Sequence, residues 1–486
     1  MSKLANSPFA LSFRCRAATA LFGSLASAPA WATHLETGIP TAFGWPAWLA
    51  MGTFVLAMIA VTAEERIGMR KSKPMLLCAG LIWAIIAFAE LHEGTHGAEA
   101  AARHSLLQYA ELMLFLLVVM TYVNALNERQ VFAALRGRVA ALGFTYRRLF
   151  WTTGLTTFFL SPFLDNLSTA LLMGAVVLAL SDDNPRFAAP GCVNVVVAAN
   201  AGGVFSPFGD LTTLIVWQQQ LQTPQGALDF GSFFHLLVPA LAGYLLTAVL
   251  MQRALPNGAP AGQLPAVPMR RGARIIVALL LATIATTVAF EAWLLLPPVV
   301  GMMTGLSYLQ IFGFYLKVTH RPPNGSGEDI GLPLPTEGRV PFDVFRRISR
   351  AEWDALFFLY GMALSVGGLA YLGWLALAGD LMYGQWGPDV ANLLIGLYSA
   401  AVENVPTMFA VLAMQPEMSL GHWLTATLTT GIGGSLLSIG SAAGIALMGQ
   451  SRGNYTFLKH LRWTPAISAG FALSLMTHYL LNAERF

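Results

Sequence analysis

Twelve apolar stretches dominate this chain, and four of them are broken in their middles by polar residues, glycine and proline. The eight unbroken runs lie near 46–63, 74–91, 107–126, 231–250, 274–291, 297–316, 353–375 and 463–481. Each approaches the length of about 20 residues with which a helix crosses the hydrocarbon core of a bilayer. The broken runs are 149–181, 187–217, 388–415 and 420–450. Composition agrees with a bilayer as solvent. Only 11% of the 486 residues are Asp, Glu, Lys or Arg, against about 25% in soluble domains, and 56% are hydrophobic. So few charges cannot coat a soluble globule of this size, which excludes an ordinary soluble enzyme. The formal net charge is +3 and the basic residues fall in short clusters between apolar runs, so no nucleic-acid partner is expected. Cys15, Cys78 and Cys192 have neither disulfide nor zinc spacing.

Loop charge decides how the broken runs meet the membrane, because Lys and Arg in short loops favour the cytoplasmic side. The basic loops are 64–73, 127–148, 251–274, 317–352 and 451–462. If every broken run spanned, two of these loops would lie outside. If 149–181 and 388–415 are instead re-entrant hairpins, all five lie in the cytoplasm. The expected fold is therefore an all-α polytopic membrane protein of about ten transmembrane helices plus two re-entrant helical hairpins with broken helices. It is arranged as two inverted repeats, with both mature termini outside.

The residues repeat independently of the charges. Asp165-Asn166-Leu-Ser168-Thr169 in the first hairpin matches Glu403-Asn404-Val-Pro406-Thr407 in the second. Gly202-Gly203 followed by Ser206 and Gly209 answers Gly433-Gly434 followed by Ser438 and Gly440. Oppositely oriented repeats with broken helices are the sequence sign of a secondary transporter whose site lies near the midplane. The domain reading is a signal peptide over 1–32, a first membrane repeat over 33–250, a cytoplasmic connection over 251–273 and a second repeat over 274–486. The second repeat contains a cytoplasmic linker at 317–352, with an amphipathic turn at 342–348. The signal peptide rests on Lys3, Arg14 and Arg16, the apolar run 17–26 and the small-residue stretch Ala28-Pro-Ala30-Trp-Ala32.

Irregular backbone inside a membrane survives where it lines a cavity or site. At each hairpin tip a carboxylate and an amide, with hydroxyls one turn on, present hard oxygen atoms suited to a small hard cation. Asp165, Asn166, Ser168 and Thr169 form the first set, and Glu403, Asn404 and Thr407 the second. Asn200, Asp210, Thr212, Ser438 and Ser441 extend them. A carboxylate at the bilayer centre costs about 2.5–3.5 kcal/mol on insertion scales and needs a cation, a proton or water. The four broken runs contain no Lys or Arg, so that cation is expected to come from outside the protein. The blander alternative for Asp165 and Glu403 is helix capping, and for Asp210 a structural or near-surface place. Glu111 and Asp354, each opening a span ahead of its hairpin, and His104, a candidate pH sensor, are assigned an outer role or an interfacial one. His92, Glu93 and His96 are read as a solvated loop. There is no phosphate loop, nucleotide fingerprint or catalytic triad, so neither an enzyme nor a cofactor is expected.

On the stretches 161–174, 200–213, 402–409 and 433–444, which lie in order in both halves, the chain resembles the NhaD-type sodium/proton antiporters of the ArsB/NhaD permease family, within the ion transporter superfamily. That resemblance implies export of Na⁺, and also Li⁺, in exchange for H⁺ across a bacterial inner membrane, with a homodimer as a common assembly. It places Na⁺ at Asp165, Asn166, Glu403 and Asn404, with Asn200 and Asp210 in the same polar site. Glu403 departs from the pattern, where Asp is frequent. The alternative retained is an arsenite or carboxylate/anion permease of the same fold.

Overall fold

The computed structural model describes residues 44–141, 145–181, 184–260, 267–319, 348–349 and 351–486. The signal peptide, nearly all of the 317–352 linker and all but the last residue of the turn at 342–348 lie outside them.

Helices build almost the whole described chain. The first half contains α1 (Trp45–Thr62), α2 (Ser72–Glu93), α3 (Ala98–Glu128), α4 (Tyr146–Leu160), α5 (Asn166–Leu180), α6 (Pro185–Gly203), α7 (Leu211–Gln218) and α8 (Leu237–Met251). The second half contains α9 (Ala273–Leu294), α10 (Pro298–Val318), α11 (Trp353–Tyr371), α12 (Pro388–Ser399), α13 (Asn404–Met414), α14 (Leu420–Gly433), α15 (Ala442–Gln450) and α16 (Thr464–Leu481). Seven helical segments are long and apolar enough to cross a membrane: α1, α2, α3, the segment 230–254 that includes α8, α9, α10 and α11. With α16 and the broken pairs α6–α7 and α14–α15, this matches the expected ten crossings. The hairpins are α4–α5 and α12–α13.

The two halves pack as counterparts. Within each, the first hairpin helix lies along the first half of the broken helix, α4 on α6 and α12 on α14. Between them, α7 packs on α13 and α15 on α5, so each hairpin is closed by the short half-helix of the other repeat. Hydrogen bonds repeat the relation atom for atom. Ser161 Oγ donates to the Ala199 carbonyl at 2.7 Å, and Ser399 Oγ donates to the Thr430 carbonyl at 2.8 Å. A Cβ on Gly202 would stand 2.2 Å from the Phe158 carbonyl oxygen, and one on Gly433 would stand 2.2 Å from that of Gly396. The paired glycines are there because helix backbones touch at these points.

One boundary differs from expectation. The sequence puts the third apolar run near 107–126, but α3 begins at Ala98. Ala98-Glu-Ala-Ala-Ala-Arg is strongly helix-forming, and the Glu90 carboxylate accepts from the Gly97 and Ala98 amides at 2.9–3.1 Å, capping the helix from a distance. His92, Glu93 and His96 are exposed, but only His96 lies in the loop expected for all three, since His92 and Glu93 belong to the last turn of α2.

Candidate functional site

Four half-helices, α5, α7, α13 and α15, start at the crossing of the repeats. Their N-caps are Asp165, Asp210, Glu403 and Ser441, all residues singled out by sequence. Each break sets the carbonyl end of one half-helix against the amide end of the next, so both signs of partial charge face the same space. Asp165 Oδ1 accepts from the Ser168 amide at 2.8 Å, and Asp210 Oδ1 from the Thr212 amide at 3.0 Å. The capping alternative is thus realised at Asp165 and Asp210, each of which still has a second carboxylate oxygen. It is not realised at Glu403, whose side chain caps nothing.

Asn200 is the hub of the first polar cluster. Its Oδ1 accepts from Asn166 Nδ2 at 3.2 Å and from Ser441 Oγ at 3.1 Å, while its Nδ2 donates to Ser435 Oγ at 2.8 Å. One buried amide on α6 therefore holds the first hairpin and the break of the second repeat together. Ser435 is supported in turn by His460, whose Nε2 lies 2.8 Å from the Ser435 carbonyl and whose Nδ1 lies 2.7 Å from Tyr455 Oη.

The second cluster joins the repeats in the opposite sense. Asp210, only 3% exposed, receives Asn404 Nδ2 at 3.4 and 3.3 Å on its two oxygens. The Thr212 hydroxyl lies alongside the same carboxylate, and a Cβ on Gly431 of α14 would stand 3.4 Å from Asp210 Oδ2. Asp165 is within electrostatic range of Asp210. Among the described residues no Lys, Arg or His pairs with Asp210. The neighbouring Thr430 Oγ1 is buried without a hydrogen-bond partner.

Glu403 requires a correction. A cation from outside the protein was expected, yet Lys71 Nζ donates to both Glu403 oxygens, at 3.0 and 2.9 Å. The four broken runs do lack Lys and Arg, but the loop before α2 supplies a lysine. Lys71 also stands 4.6 Å above the Phe358 ring, and the next residue, Ser72, donates to Asp354 Oδ1 at 2.5 Å. Asp354 thus sits beside the ion pair.

Other expected residues take lesser places. Thr407 Oγ1 returns to the Glu403 carbonyl at 3.2 Å, and Thr169 Oγ1 to that of Leu164 at 3.4 Å. Ser438 is buried against Met448. His104 is exposed and Glu111 half-buried on α3, and among the described residues neither hydrogen-bonds to the crossing. Sequence reasoning missed Lys71, Ser435, Thr430 and His460. Ser435 stood inside a quoted motif and Thr430 shortly before it, whereas nothing local marked Lys71 or His460.

Burial holds the His460 imidazole down to about pKa 4, well below its ordinary value. The unfolded chain therefore takes up a proton more readily than the native one, and stability is fully present above about pH 6.5 and lost as pH falls towards 4. Between pH 7 and 5 the loss attributable to this group is about 2 kcal/mol. His460→Gln should flatten that part of the thermal-unfolding profile of the purified protein in detergent; an unchanged acid slope would clear His460 of it.

Crossed broken helices, built from inverted repeats and converging on buried polar side chains, define a secondary transporter. Residues 9–433 match the family model described as citrate transporter. The Na⁺/H⁺ antiporter NhaD of Vibrio cholerae is 50% identical over 447 residues, covering 90% of this chain and 92% of its own. That of Alkalimonas amylolytica is 51% identical over 448 residues, covering 90% and 91%. Sodium/proton antiporter 1 of Arabidopsis thaliana is 28% identical over 444 residues, covering 89% of this chain and 72% of its own. The chain belongs to the NhaD-type antiporter family, within the broader family of that citrate-transporter model.

Proposed function

We propose that this chain exchanges Na⁺, and also Li⁺, for H⁺ across a bacterial inner membrane, with both ions competing for the carboxylates at the crossing. The observation that carries this reading is Asp210, a buried carboxylate whose side-chain hydrogen-bond donor, among the described residues, is the neutral amide of Asn404. An ionised carboxylate so placed is stable only with a cation, and a neutral one only with a proton. The two ions therefore exclude each other, and an empty site is costly to carry across. Asp165, Asn166, Asn404 and Glu403 supply further oxygens for Na⁺, with Asn200, Thr212 and Ser441 holding them. Ser168, Thr169, Thr407 and Ser438 shape the half-helix starts, and Glu111, Asp354 and His104 act from outside the ion's contacts. The positive-inside rule puts the termini in the periplasm, and a homodimer in the lipid bilayer is the expected assembly.

A citrate-like anion fits this site poorly, because three acids converge where its carboxylates would bind. The test is collapse of a preformed ΔpH in everted vesicles from antiporter-deficient cells, on addition of NaCl, LiCl, KCl, citrate or arsenite. Release of the proton gradient by Na⁺ and Li⁺ is expected. A response to citrate or arsenite alone, in vesicles shown to contain the protein, would overturn the reading.

A further inference from the structure

We propose that Lys71 is the chain's own competitor for the transported cation: its ammonium neutralises Glu403 in the cation-free site and is displaced when Na⁺ binds there. The inference rests on the reading of Glu403 as a cation ligand. Lys71 precedes α2 in the first repeat and Glu403 stands at the N-terminal boundary of α13 in the second, 332 residues away, so the pair bridges the two repeats. Both carboxylate oxygens are engaged, at 3.0 and 2.9 Å. A cation can take them only if the ammonium leaves, since one carboxylate cannot hold both at full strength.

The surroundings favour reversible displacement. The side chains are 23% and 18% exposed, so water reaches the pair and its strength is that of a partly solvated bridge, not of a locked buried one. The displaced ammonium also has somewhere to go. Glu352 lies within electrostatic range of both Lys71 and Asp165, and Asp354 is held by Ser72, adjacent to Lys71 in the chain. A lysine suits this task better than an arginine fork would, because its ammonium is a compact charge on a flexible stem. The pairing also lowers the cost of the cation-free state, which otherwise carries the full charge of three acids through the conformational change.

The experiment measures initial rates of Na⁺-driven proton release against Na⁺ concentration at one alkaline pH, in vesicles matched for protein. Lys71→Met should lower the half-saturating Na⁺ concentration about threefold to tenfold, by removing a competitor whose pairing is of partly solvated strength. The maximal rate should fall as well, since nothing then helps expel the ion. Lys71→Arg keeps the charge and should restore half-saturation to within about twofold. A merely structural lysine would change the amount of active protein without lowering half-saturation. Should Lys71→Met fail to reach the membrane, the Na⁺-induced shift in melting temperature of purified Lys71→Gln, compared with wild type, reads the same competition. An unchanged or raised half-saturation in Lys71→Met, or an unchanged Na⁺-induced melting shift in Lys71→Gln, would overturn the inference. Glu403→Gln separates the two levels. If it transports with wild-type half-saturation, Glu403 is no cation ligand and the underlying reading fails; if it is defective while Lys71→Met is unchanged, only the role of Lys71 fails.

Discussion

Asp210→Asn should reduce Na⁺-driven proton release to the background of vesicles without the protein, while leaving the protein folded in the membrane. Asparagine is nearly isosteric with aspartate and is as good a helix cap, so the bond from the Thr212 amide and the start of α7 can persist. What disappears is the charge, and with it the proton-binding oxygen and the negative charge that holds the cation, since a remaining amide oxygen can touch Na⁺ but cannot exchange it for a proton. Asp165→Asn should behave alike, since the Ser168 amide keeps an acceptor at the start of α5. Glu403→Gln should be less complete, because it also frees Lys71 and leaves Asp210 and Asp165 to hold the ion. The check is ΔpH collapse by NaCl and LiCl in everted vesicles, with protein quantified in the same membranes. Wild-type release in Asp210→Asn would remove the buried carboxylate from the mechanism and with it the competition of Na⁺ and H⁺ for one site.

That ranking could not have been drawn from the sequence, although the acids themselves could. Asp165, Asp210 and Glu403 stood out because carboxylates are expensive in apolar surroundings and because two of them recur in matched motifs. The matched glycines predicted a repeat, and Gly202 and Gly433 indeed meet the carbonyls of Phe158 and Gly396 in equivalent ways. Periodicity and local motifs carry such information, since a broken helix is written in consecutive residues. Partners distant along the chain are not. Nothing near Lys71 signals that it crosses to Glu403, and the absence of Lys and Arg from the broken runs pointed the other way. The start of α3 was misplaced for a related reason. Hydropathy measures what lipid tolerates, whereas the first turns of α3 depend on helix propensity and on a cap supplied by Glu90 of the preceding helix. Which carboxylate lacks a cation of its own is a property of the packed crossing, not of any segment.

Packing at that crossing leads to the second large effect. Gly202→Ala and Gly433→Ala should each destabilise the protein by about 1–3 kcal/mol or more, because the added methyl meets rigid backbone and not a yielding side chain. In both places the new Cβ would stand 2.2 Å from a carbonyl oxygen of the neighbouring hairpin helix, far inside van der Waals contact. Relief requires the hairpin to move off the broken helix. In the first repeat that movement pulls on Ser161 and Asn166, whose bonds to the Ala199 carbonyl and to Asn200 bind the hairpin to α6. Transport should therefore fall by more than the loss of folded protein explains. Gly80→Ala is the control: it lies in α2 with open space around its would-be Cβ, so it should be neutral or stabilising by up to about 1 kcal/mol from helix propensity. Melting temperatures in detergent and rates per unit of folded protein would make the comparison. If Gly202→Ala and Gly433→Ala match Gly80→Ala in both, the hairpins are not held against the broken helices as closely as the fold requires, and the oxygen positions at the crossing are not fixed by this contact.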